Sequence, residues 1–458
     1  MKKSYDIIVI GSGAGLNIAR NASSNGFKTA FIEKGSLGGT CLNRGCIPSK
    51  MLIYPSEAAD RIREASKLDI SVSSEVQVDF SRLINRIKEH TSAISNEILT
   101  SVKEKENLDF YHDNARFISD SVVKVGDDEL KADKIFVGTG SKPFIPDIPG
   151  LKDTDYMTST EALTLREIPK SLIVIGAGYI AAELGYAYRA CGCKVDFVVR
   201  SRFLRNEDDD ISEEFQKVFS KNHNIHQGWH PVQVSKKGEM FNLECSNDNG
   251  DKKILSAESF LVAVGVVPEI EGLGLEHTGI RLDARGNIKV DECLRTDVPG
   301  IFAFGDVVGN YFFRHTANYE AKYLTSTQVL GDFEKPIDYG PVPHAVFSCP
   351  EISGVGLTEQ QVLDSGADYI VGTARYEDCT PGIARQSDHG LVKLIFNRKT
   401  KKLLGAHIVG DEAATMVHMF IAFMKMRGTL DDMLDTIFIH PALPEVAKEA
   451  LLDARDRF

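Results

Sequence analysis

The sequence predicts an α/β protein, and three observations support that prediction. A strand at Asp6–Ile10 runs into a glycine-rich turn, which is followed by a helix and a second strand, Thr29–Glu33. The same order returns much later, with strands Leu172–Ile175 and Val195–Arg200 around another glycine turn and helix. After about residue 338, alternating apolar segments predict antiparallel strands. We therefore expect two Rossmann-like dinucleotide-binding domains and a separate C-terminal α+β domain.

The first glycine turn contains Gly11, Gly13 and Gly15, and its second strand ends in Glu33. Such a turn can seat a pyrophosphate on a helix N-terminus, and the carboxylate can bond ribose hydroxyls. Leu16 stands where the motif usually has a third glycine, the one that permits close helix–strand packing. We expect the leucine Cβ to push the helix outward, with Gly15 absorbing the strain.

The second unit ends differently, because basic side chains stand where NAD would favour a carboxylate. Its last strand ends in Arg200, and Arg202 and Arg205 follow closely. Guanidinium groups suit the 2′-phosphate of NADP, so this turn favours NADPH over NADH. The alternative is a solvated basic turn that the acidic residues 207–210 partly neutralise.

Between the two units lies the stretch GGTCLNRGCIPSK, in which four residues separate Cys41 from Cys46. Pro48 suits the first turn of a helix, so Cys46 should lie near a helix N-terminus, where the dipole stabilises a thiolate. Five steps along a regular helix advance about 7.5 Å. The pair can therefore bridge only if the backbone between them leaves the helix, and Gly45 permits this. The alternative is two unrelated buried thiols.

Composition limits the functional classes. The chain has 458 residues, 43% of them hydrophobic and 26% charged, with a net charge of −12, which argues against a nucleic-acid partner. The apolar run in MKKSYDIIVIGSG is too short for a signal peptide, and no stretch approaches about 18 apolar residues. We expect a soluble, cytoplasmic protein with no membrane partner and no metal site.

A histidine and a carboxylate stand close together near the C-terminus, at His440 and Glu445. Thiol–disulfide exchange needs a group that removes a proton from one thiol and returns it to another. Histidine titrates in the right range, and a carboxylate can fix its tautomer. A purely structural pair is the alternative, but no other base is an evident partner for the two cysteines.

These motifs, in this order and over essentially the whole chain, resemble the flavin-dependent pyridine nucleotide–disulfide oxidoreductases. That family includes dihydrolipoamide dehydrogenase, glutathione reductase, mycothione reductase and mercuric reductase. The resemblance implies FAD in the first dinucleotide site and a nicotinamide nucleotide in the second. It also implies an obligate homodimer in which His440 and Glu445 of one subunit complete the active site of the other. The domains expected are FAD-binding over 1–145 and 265–338, NAD(P)-binding over 146–264, and dimerisation over 339–458.

The resemblance assigns roles to individual residues. Cys41 would be the interchange thiol that faces the disulfide substrate, and Cys46 the charge-transfer thiol against the flavin. Lys50 and Glu183 would form an ion pair near the reactive edge of the isoalloxazine, and Tyr179 would cover the flavin until the nicotinamide arrives. Solvated helix charges and a core aromatic are the alternatives. The residues expected at FAD are Gly11, Gly13, Gly15, Glu33, Gly39, Thr40, Gly140 and Asp306. The residues expected at NADPH are Gly176, Gly178, Tyr179, Arg200, Arg202, Arg205 and Gly265.

The predicted function is a flavoprotein reductase that passes electrons from NADPH through FAD and the Cys41–Cys46 disulfide to a small-molecule disulfide. The segments IAAEL, RHTANYEAKY and HPALPEVAKEALL resemble the mycothione reductase branch more than glutathione reductase. One alternative is a dihydrolipoamide dehydrogenase that oxidises a lipoyl dithiol with NAD. An alternative from another class is a docking subunit of an acyltransferase complex.

Overall fold

The computed structural model describes residues 1–332 and 335–458. Its strands, in chain order, are β1 Lys2–Ile10, β2 Thr29–Ile32, β3 Leu108–Tyr111, β4 Ala115–Ser119, β5 Val122–Val125, β6 Asp128–Val137, β7 Ser141–Pro143, β8 Ser171–Ile175, β9 Lys194–Val199, β10 Asn224–Gln227, β11 Trp229–Lys237, β12 Met240–Asn247, β13 Lys252–Ala257, β14 Ser259–Val262, β15 Val266–Pro268, β16 Ile301–Ala303, β17 Pro343–Val346, β18 Ile352–Gly356, β19 Tyr369–Arg375, β20 Leu391–Asn397 and β21 Leu403–Val409. Its α-helices are α1 Gly15–Ser24, α2 Gly39–Arg44, α3 Cys46–Arg63, α4 Phe80–Lys103, α5 Ser159–Ala162, α6 Tyr179–Ala190, α7 Asp209–Phe219, α8 Arg314–Leu324, α9 Glu359–Asp364, α10 Thr380–Ala384, α11 Ala413–Lys425, α12 Leu430–Leu434 and α13 Pro444–Arg455.

The chain divides into two compact units. Unit 1 consists of Met1–Ser49, Asn85–Phe144 and Gly265–Tyr339. Unit 2 consists of Lys50–Ile84, Ile145–Val264 and Gly340–Phe458. The boundaries of the domains expected from the sequence remain a prediction.

Unit 1 is built on a seven-stranded sheet with the order β3-β2-β1-β6-β5-β4, in which β16 also pairs with β6. Strands β1, β2, β3, β6 and β16 run parallel to one another, whereas β5 is antiparallel to both β6 and β4. The residues Ile7–Ile10 of β1 are all buried. A continuous apolar run of this kind is typical of a parallel strand that is covered on both faces.

Unit 2 contains three sheets. One is a parallel sheet with the order β10-β9-β8-β14, and another is the antiparallel sheet β11-β12-β13. The third is an antiparallel sheet, β17-β18-β21-β20-β19, which packs with α11 and α13 around its own apolar core. The antiparallel C-terminal domain predicted from the sequence is therefore confirmed.

The internal duplication is visible at the glycine turns. Gly11 has φ +100°, and a Cβ built there would lie 2.3 Å from the carbonyl oxygen of Gly138, at the end of β6. Gly176 has φ +129°, and its Cβ would lie 2.2 Å from the carbonyl oxygen of Ala263, at the end of β14. The first turn contacts the end of β6, the neighbour of β1, and the second contacts the end of β14, the neighbour of β8. Only glycine therefore fits at either position.

The close contact between α1 and β1 is made at Gly15 rather than at Leu16. A Cβ at Gly15 would lie 3.0 Å from Val9 Cγ1, which is tighter than ordinary van der Waals contact. Leu16 belongs to α1, and its side chain is buried in the apolar core that this helix shares with β1. The core therefore accommodates the leucine, and Gly15 supplies the close approach that the motif needs.

Candidate active site

The two cysteines lie on either side of a break between two helices. Cys41 belongs to α2 and Cys46 is the first residue of α3, with Gly45 between the helices at φ −143° and ψ −118°. A Cβ at Gly45 would lie 2.9 Å from the Thr40 carbonyl oxygen and 3.3 Å from Cys41 Cα. The helix break and the N-terminal position of Cys46 are as predicted. Cys46 is exposed and Cys41 is half-buried.

Sequence reasoning missed the residue that holds this segment in place. The side-chain amide of Asn43 donates to the carbonyl oxygens of Ser36, Leu37 and Gly39, at 3.2, 3.0 and 3.0 Å. The bonds to Ser36 and Leu37 tie α2 to the loop before it. An asparagine between two cysteines gives no sequence signal of this role, because its partners are backbone atoms.

The first glycine turn has the shape and the polar groups that a dinucleotide needs. Ser12 N donates to Glu33 Oε2 at 2.8 Å, which places the carboxylate beside the turn. Gly39 has φ +67°, and its Cβ would lie 2.8 Å from Gly13 Cα, so the loop before α2 closes onto the same turn. In the described residues, the buried Thr139 Oγ1 has no hydrogen-bond partner. These features fit FAD.

The remaining residues predicted at FAD lie at strand and helix ends of unit 1. Asp306 is in a short 3₁₀ turn, Gly305–Val308, that closely follows β16, and Ser141 Oγ donates to its carboxylate at 2.6 Å. Burial raises the pKa of Asp306, and the Ser141 hydrogen bond opposes the rise. Gly140 has φ +75°, and Thr40 is an exposed residue of α2.

The second glycine turn leads directly into α6. Gly178 caps the helix, is exposed, and leaves open space where a Cβ would stand. Tyr179 is the first residue of α6. Gly265, predicted to contact the same nucleotide, has φ +129° and lies just before β15 in unit 1.

The arginines after β9 differ in their surroundings. Arg200 and Arg205 are exposed, whereas Arg202 forms an ion pair with Asp209. Glu207 and Asp208 are buried and bond to His344 and Lys393 rather than to an arginine of this turn. Asp209 is therefore the acidic residue of the run 207–210 that pairs with an arginine of this turn.

Lys50 and Glu183 form the predicted ion pair. Lys50 Nζ lies 2.7 Å from Glu183 Oε2, and Glu183 Oε1 accepts a 3.0 Å hydrogen bond from the backbone N–H of Phe347. Lys50 Nζ also lies 4.6 Å from the centre of the Phe347 ring. The carboxylate thus links α3, α6 and the residue after β17. Phe347 was not predicted, because its contribution is mainly a backbone N–H.

His440 and Glu445 also meet. His440 Nδ1 lies 3.0 and 3.1 Å from the two carboxylate oxygens of Glu445, and Ala442 N donates to the same carboxylate at 3.2 Å. The hydrogen bond from His440 lowers the pKa of Glu445. The His440 side chain is 70% exposed. The carboxylate fixes one ring nitrogen and leaves Nε2 for proton exchange.

A buried polar cluster behind Tyr179 was not foreseen. The Tyr179 hydroxyl hydrogen-bonds to the carboxylate of Glu207, and His344 Nε2 lies 2.7 Å from Glu207 Oε2. The imidazole of His344 stacks beside the Tyr179 ring at 6.2 Å between centroids. These residues are far apart in sequence, so no local pattern could have brought them together.

The described residues, 1–332 and 335–458, contain neither a membrane-spanning helix nor a metal-binding cluster. No helix there is long and apolar enough to span a bilayer. No group of three or more histidine, cysteine, aspartate or glutamate side chains there is placed to hold a metal ion.

The chain is similar to known proteins over almost its whole length. The family model "Pyridine nucleotide-disulphide oxidoreductase" matches residues 5–321, and the dimerisation domain of that family matches residues 342–451. Mycothione reductase of Mycobacterium tuberculosis is 35% identical, over 99% of this chain and 100% of the relative. Mercuric reductase of Staphylococcus aureus is 32% identical over 98% of this chain and 82% of the relative. Dihydrolipoyl dehydrogenase of Chlorobaculum parvum is 32% identical over 98% and 97%.

A solved structure also superposes on the chain. The Cu(II) complex of the HOCl-induced flavoprotein disulfide reductase RclA from Escherichia coli has a TM-score of 0.88 at 28% identity, covering 98% of this chain and 99% of that one. The family is FAD-dependent and uses a pyridine nucleotide. The chain therefore belongs to the pyridine nucleotide-disulphide oxidoreductase family and is an enzyme of the flavoprotein disulfide reductase class.

Proposed function

We propose that this enzyme reduces a small-molecule disulfide with electrons from NADPH, using Cys41 and Cys46 as its redox pair. The observation that carries the proposal is the helix break at Gly45, which puts Cys46 at the N-terminus of α3 and Cys41 on the adjoining turn. FAD, when bound at the first glycine turn, supplies the two-electron chemistry that connects the nicotinamide with this pair.

The thiol chemistry needs two exchanges. The Cys41 thiolate attacks one sulfur of the substrate disulfide, forms a mixed disulfide and releases the first product thiol. The Cys46 thiolate then attacks Cys41 Sγ, closes the Cys41–Cys46 disulfide and releases the second product thiol. The α3 dipole stabilises the thiolate form of Cys46.

Each released thiolate takes up one proton from His440, the proposed donor, which regains a proton from solvent between the two exchanges. Its Nδ1 is held by Glu445, so Nε2 can carry the proton. Lys50 and Glu183 act as positioning residues, because their ion pair fixes α3 one turn after Cys46 against α6.

The active unit is proposed to be a homodimer, with His440 of the partner subunit beside the cysteine pair. The match to a dimerisation domain supports this proposal. The segment before His440 is apolar and unusually exposed, since Ile437 is 96% and Ile439 78% accessible in the single chain. Covering such a segment against a second copy would remove apolar surface from water.

The substrate is proposed to resemble mycothiol disulfide, in keeping with the 35% identity to mycothione reductase. The test is a screen of the purified holoenzyme with mycothiol disulfide, glutathione disulfide and lipoamide, each with NADPH and with NADH. The highest kcat/KM should belong to NADPH with mycothiol disulfide. If no low-molecular-weight disulfide is turned over with either nucleotide, the proposal fails.

A second candidate is dihydrolipoyl dehydrogenase activity, which the 32% identity to the Chlorobaculum parvum enzyme supports. It would run the thiol steps in reverse, oxidising a dithiol and reducing NAD. The exposed Arg200 and Arg205 favour a nucleotide with a 2′-phosphate and so speak against it. Faster NADH formation from dihydrolipoamide and NAD than any NADPH-dependent reduction would establish this alternative.

A further inference from the structure

The ring of Tyr179 is tied to a buried carboxylate. Its hydroxyl bonds to Glu207, whose side chain has no solvent exposure. Tyr179 itself is only half-buried, because it opens α6 next to the glycine turn of the second nucleotide site. The hydroxyl of the half-buried Tyr179 ring is therefore bonded to a carboxylate in the interior of unit 2.

His344, the second hydrogen-bond partner of Glu207, is also held in place. His344 Nε2 bonds to the other carboxylate oxygen at 2.7 Å. His344 on β17 lies opposite Gly354 on β18, which in turn lies opposite His407 on β21. A Cβ at Gly354 would lie 2.6 Å from His344 Cε1 and 2.8 Å from His407 Nδ1, so a glycine is needed for the imidazole to reach Glu207.

The backbone that carries Glu207 is fixed from its other side. Asp208 is buried, caps α7 by accepting the N–H of Asp210, and pairs with the buried Lys393 at 2.8 Å. Burial disfavours ionisation of Glu207, but the hydrogen bond and charge of His344 and the Tyr179 hydroxyl outweigh it and lower its pKa. Glu207 is therefore an ionised acceptor in a rigid position.

We propose that Glu207, supported by His344, is a positioning residue that latches the Tyr179 ring, so that nicotinamide binding must break the Tyr179–Glu207 hydrogen bond. This rests on the proposed function and on the role that the family resemblance implies for Tyr179, which would cover the flavin until the nicotinamide arrives. The latch opposes binding of either nucleotide to the same degree, because NADPH and NADH share the nicotinamide half. Arg200, by contrast, would distinguish the two through the 2′-phosphate.

The test measures the Kd of NADP⁺ and of NAD⁺ on the oxidised holoenzyme by calorimetry. Tyr179→Phe removes the hydroxyl alone, and Glu207→Leu removes the acceptor. Each should lower both Kd values by about tenfold to a hundredfold, since the lost hydrogen bond is charge-assisted. Glu207→Gln keeps an acceptor oxygen and should return towards the wild-type Kd.

The double variant decides whether Glu207 acts through Tyr179. If it does, Tyr179→Phe with Glu207→Leu should bind no more tightly than either single variant. Additive effects, or unchanged Kd values with a lowered melting temperature, would show that Glu207 is only structural and overturn the proposal. If Glu207→Leu does not fold, His344→Phe keeps the stacked ring, removes the support of the carboxylate, and serves in the same cycle.

Tyr188→Phe is the matched control, because Tyr188 lies on the same helix and its hydroxyl donates to the Ala162 carbonyl oxygen at 2.6 Å. It should lower the melting temperature and leave both Kd values unchanged. If the wild-type enzyme binds NADP⁺ and reduces a disulfide but the variants show no coupling between Tyr179 and Glu207, only the latch proposal is wrong. If the wild-type enzyme binds neither nucleotide, both the proposed function and the latch proposal are wrong.

Discussion

Lys50 Nζ lies 2.7 Å from Glu183 Oε2, and Glu183 also accepts the backbone N–H of Phe347. Glu183→Leu should therefore lower the free energy of unfolding by about 2–4 kcal/mol, because it leaves an ammonium and a peptide N–H without their acceptor. Glu183→Gln should cost less, since it can still accept from Phe347. Urea denaturation of the holoenzyme measures both.

The exposed pair Arg61–Glu57 on α3 offers a matched control for this prediction. Glu57→Gln should change the free energy of unfolding by about 0.5 kcal/mol or less, as expected of a surface ion pair. If Glu183→Leu were no more costly than Glu57→Gln, the carboxylate would not hold α3 and α6 together.

Gly45→Ala tests the break between α2 and α3. The new Cβ would lie 2.9 Å from the Thr40 carbonyl oxygen, so one of the two turns has to move. We expect a loss of about 1–3 kcal/mol in unfolding free energy and slower reduction of the proposed Cys41–Cys46 disulfide by dithiothreitol. Gly178→Ala, whose Cβ meets open space, should leave the unfolding free energy almost unchanged. Equal effects of the two substitutions would contradict this reading of Gly45.

Arg200→Ala should raise the KM for NADPH about tenfold, which corresponds to about 1.4 kcal/mol, and leave the KM for NADH within about twofold. Arg202→Ala should have a smaller effect, because Arg202 is already paired with Asp209. Steady-state kinetics with both nucleotides measures the difference. Parallel losses with NADPH and NADH would remove the basis for assigning the 2′-phosphate to Arg200.

The raised pKa of Glu351 predicts that the stability of the protein depends on pH. Burial raises its pKa from 4.5 to about 7, against backbone hydrogen bonds from Ala414 and Ala413 at the start of α11. The folded state then holds this proton more tightly than the unfolded chain, so stability falls as pH rises from about 4.5 through 7. Glu351→Gln should be the more stable protein at pH 8, by about 1–3 kcal/mol, and the gain should shrink at pH 5. Thermal unfolding at both pH values measures it, and a gain that does not depend on pH would refute the assignment.

Local patterns in the sequence were enough to predict much of the fold. Glycine turns and apolar strands are properties of short segments, so β8 was predicted to within one residue at each end. The end of β1 at Ile10 was also predicted, but this strand begins at Lys2, four residues before the predicted start. The position of Cys46 followed from Pro48 and Gly45 because both act on the backbone nearby. His440 and Glu445 are five residues apart, so their contact could also be predicted from the sequence.

Contacts made across long stretches of chain could not be predicted. Glu207 meets His344 across 137 positions, and Asp208 meets Lys393 across 185. Both acids looked like surface charges in an acidic run, because their burial depends on strands of a different sheet. The roles of Asn43 and Phe347 depend on backbone atoms, which carry no signal in the sequence.

The central claim is that Cys41 and Cys46 carry the electrons, and differential alkylation tests it most directly. The purified holoenzyme is treated with iodoacetamide before and after anaerobic addition of NADPH, and each cysteine is quantified by peptide mass spectrometry. We predict that Cys41 and Cys46 become alkylated only after NADPH, while the other cysteines do not change. If neither thiol gained reactivity, or if another pair did, the proposed redox centre would be wrong.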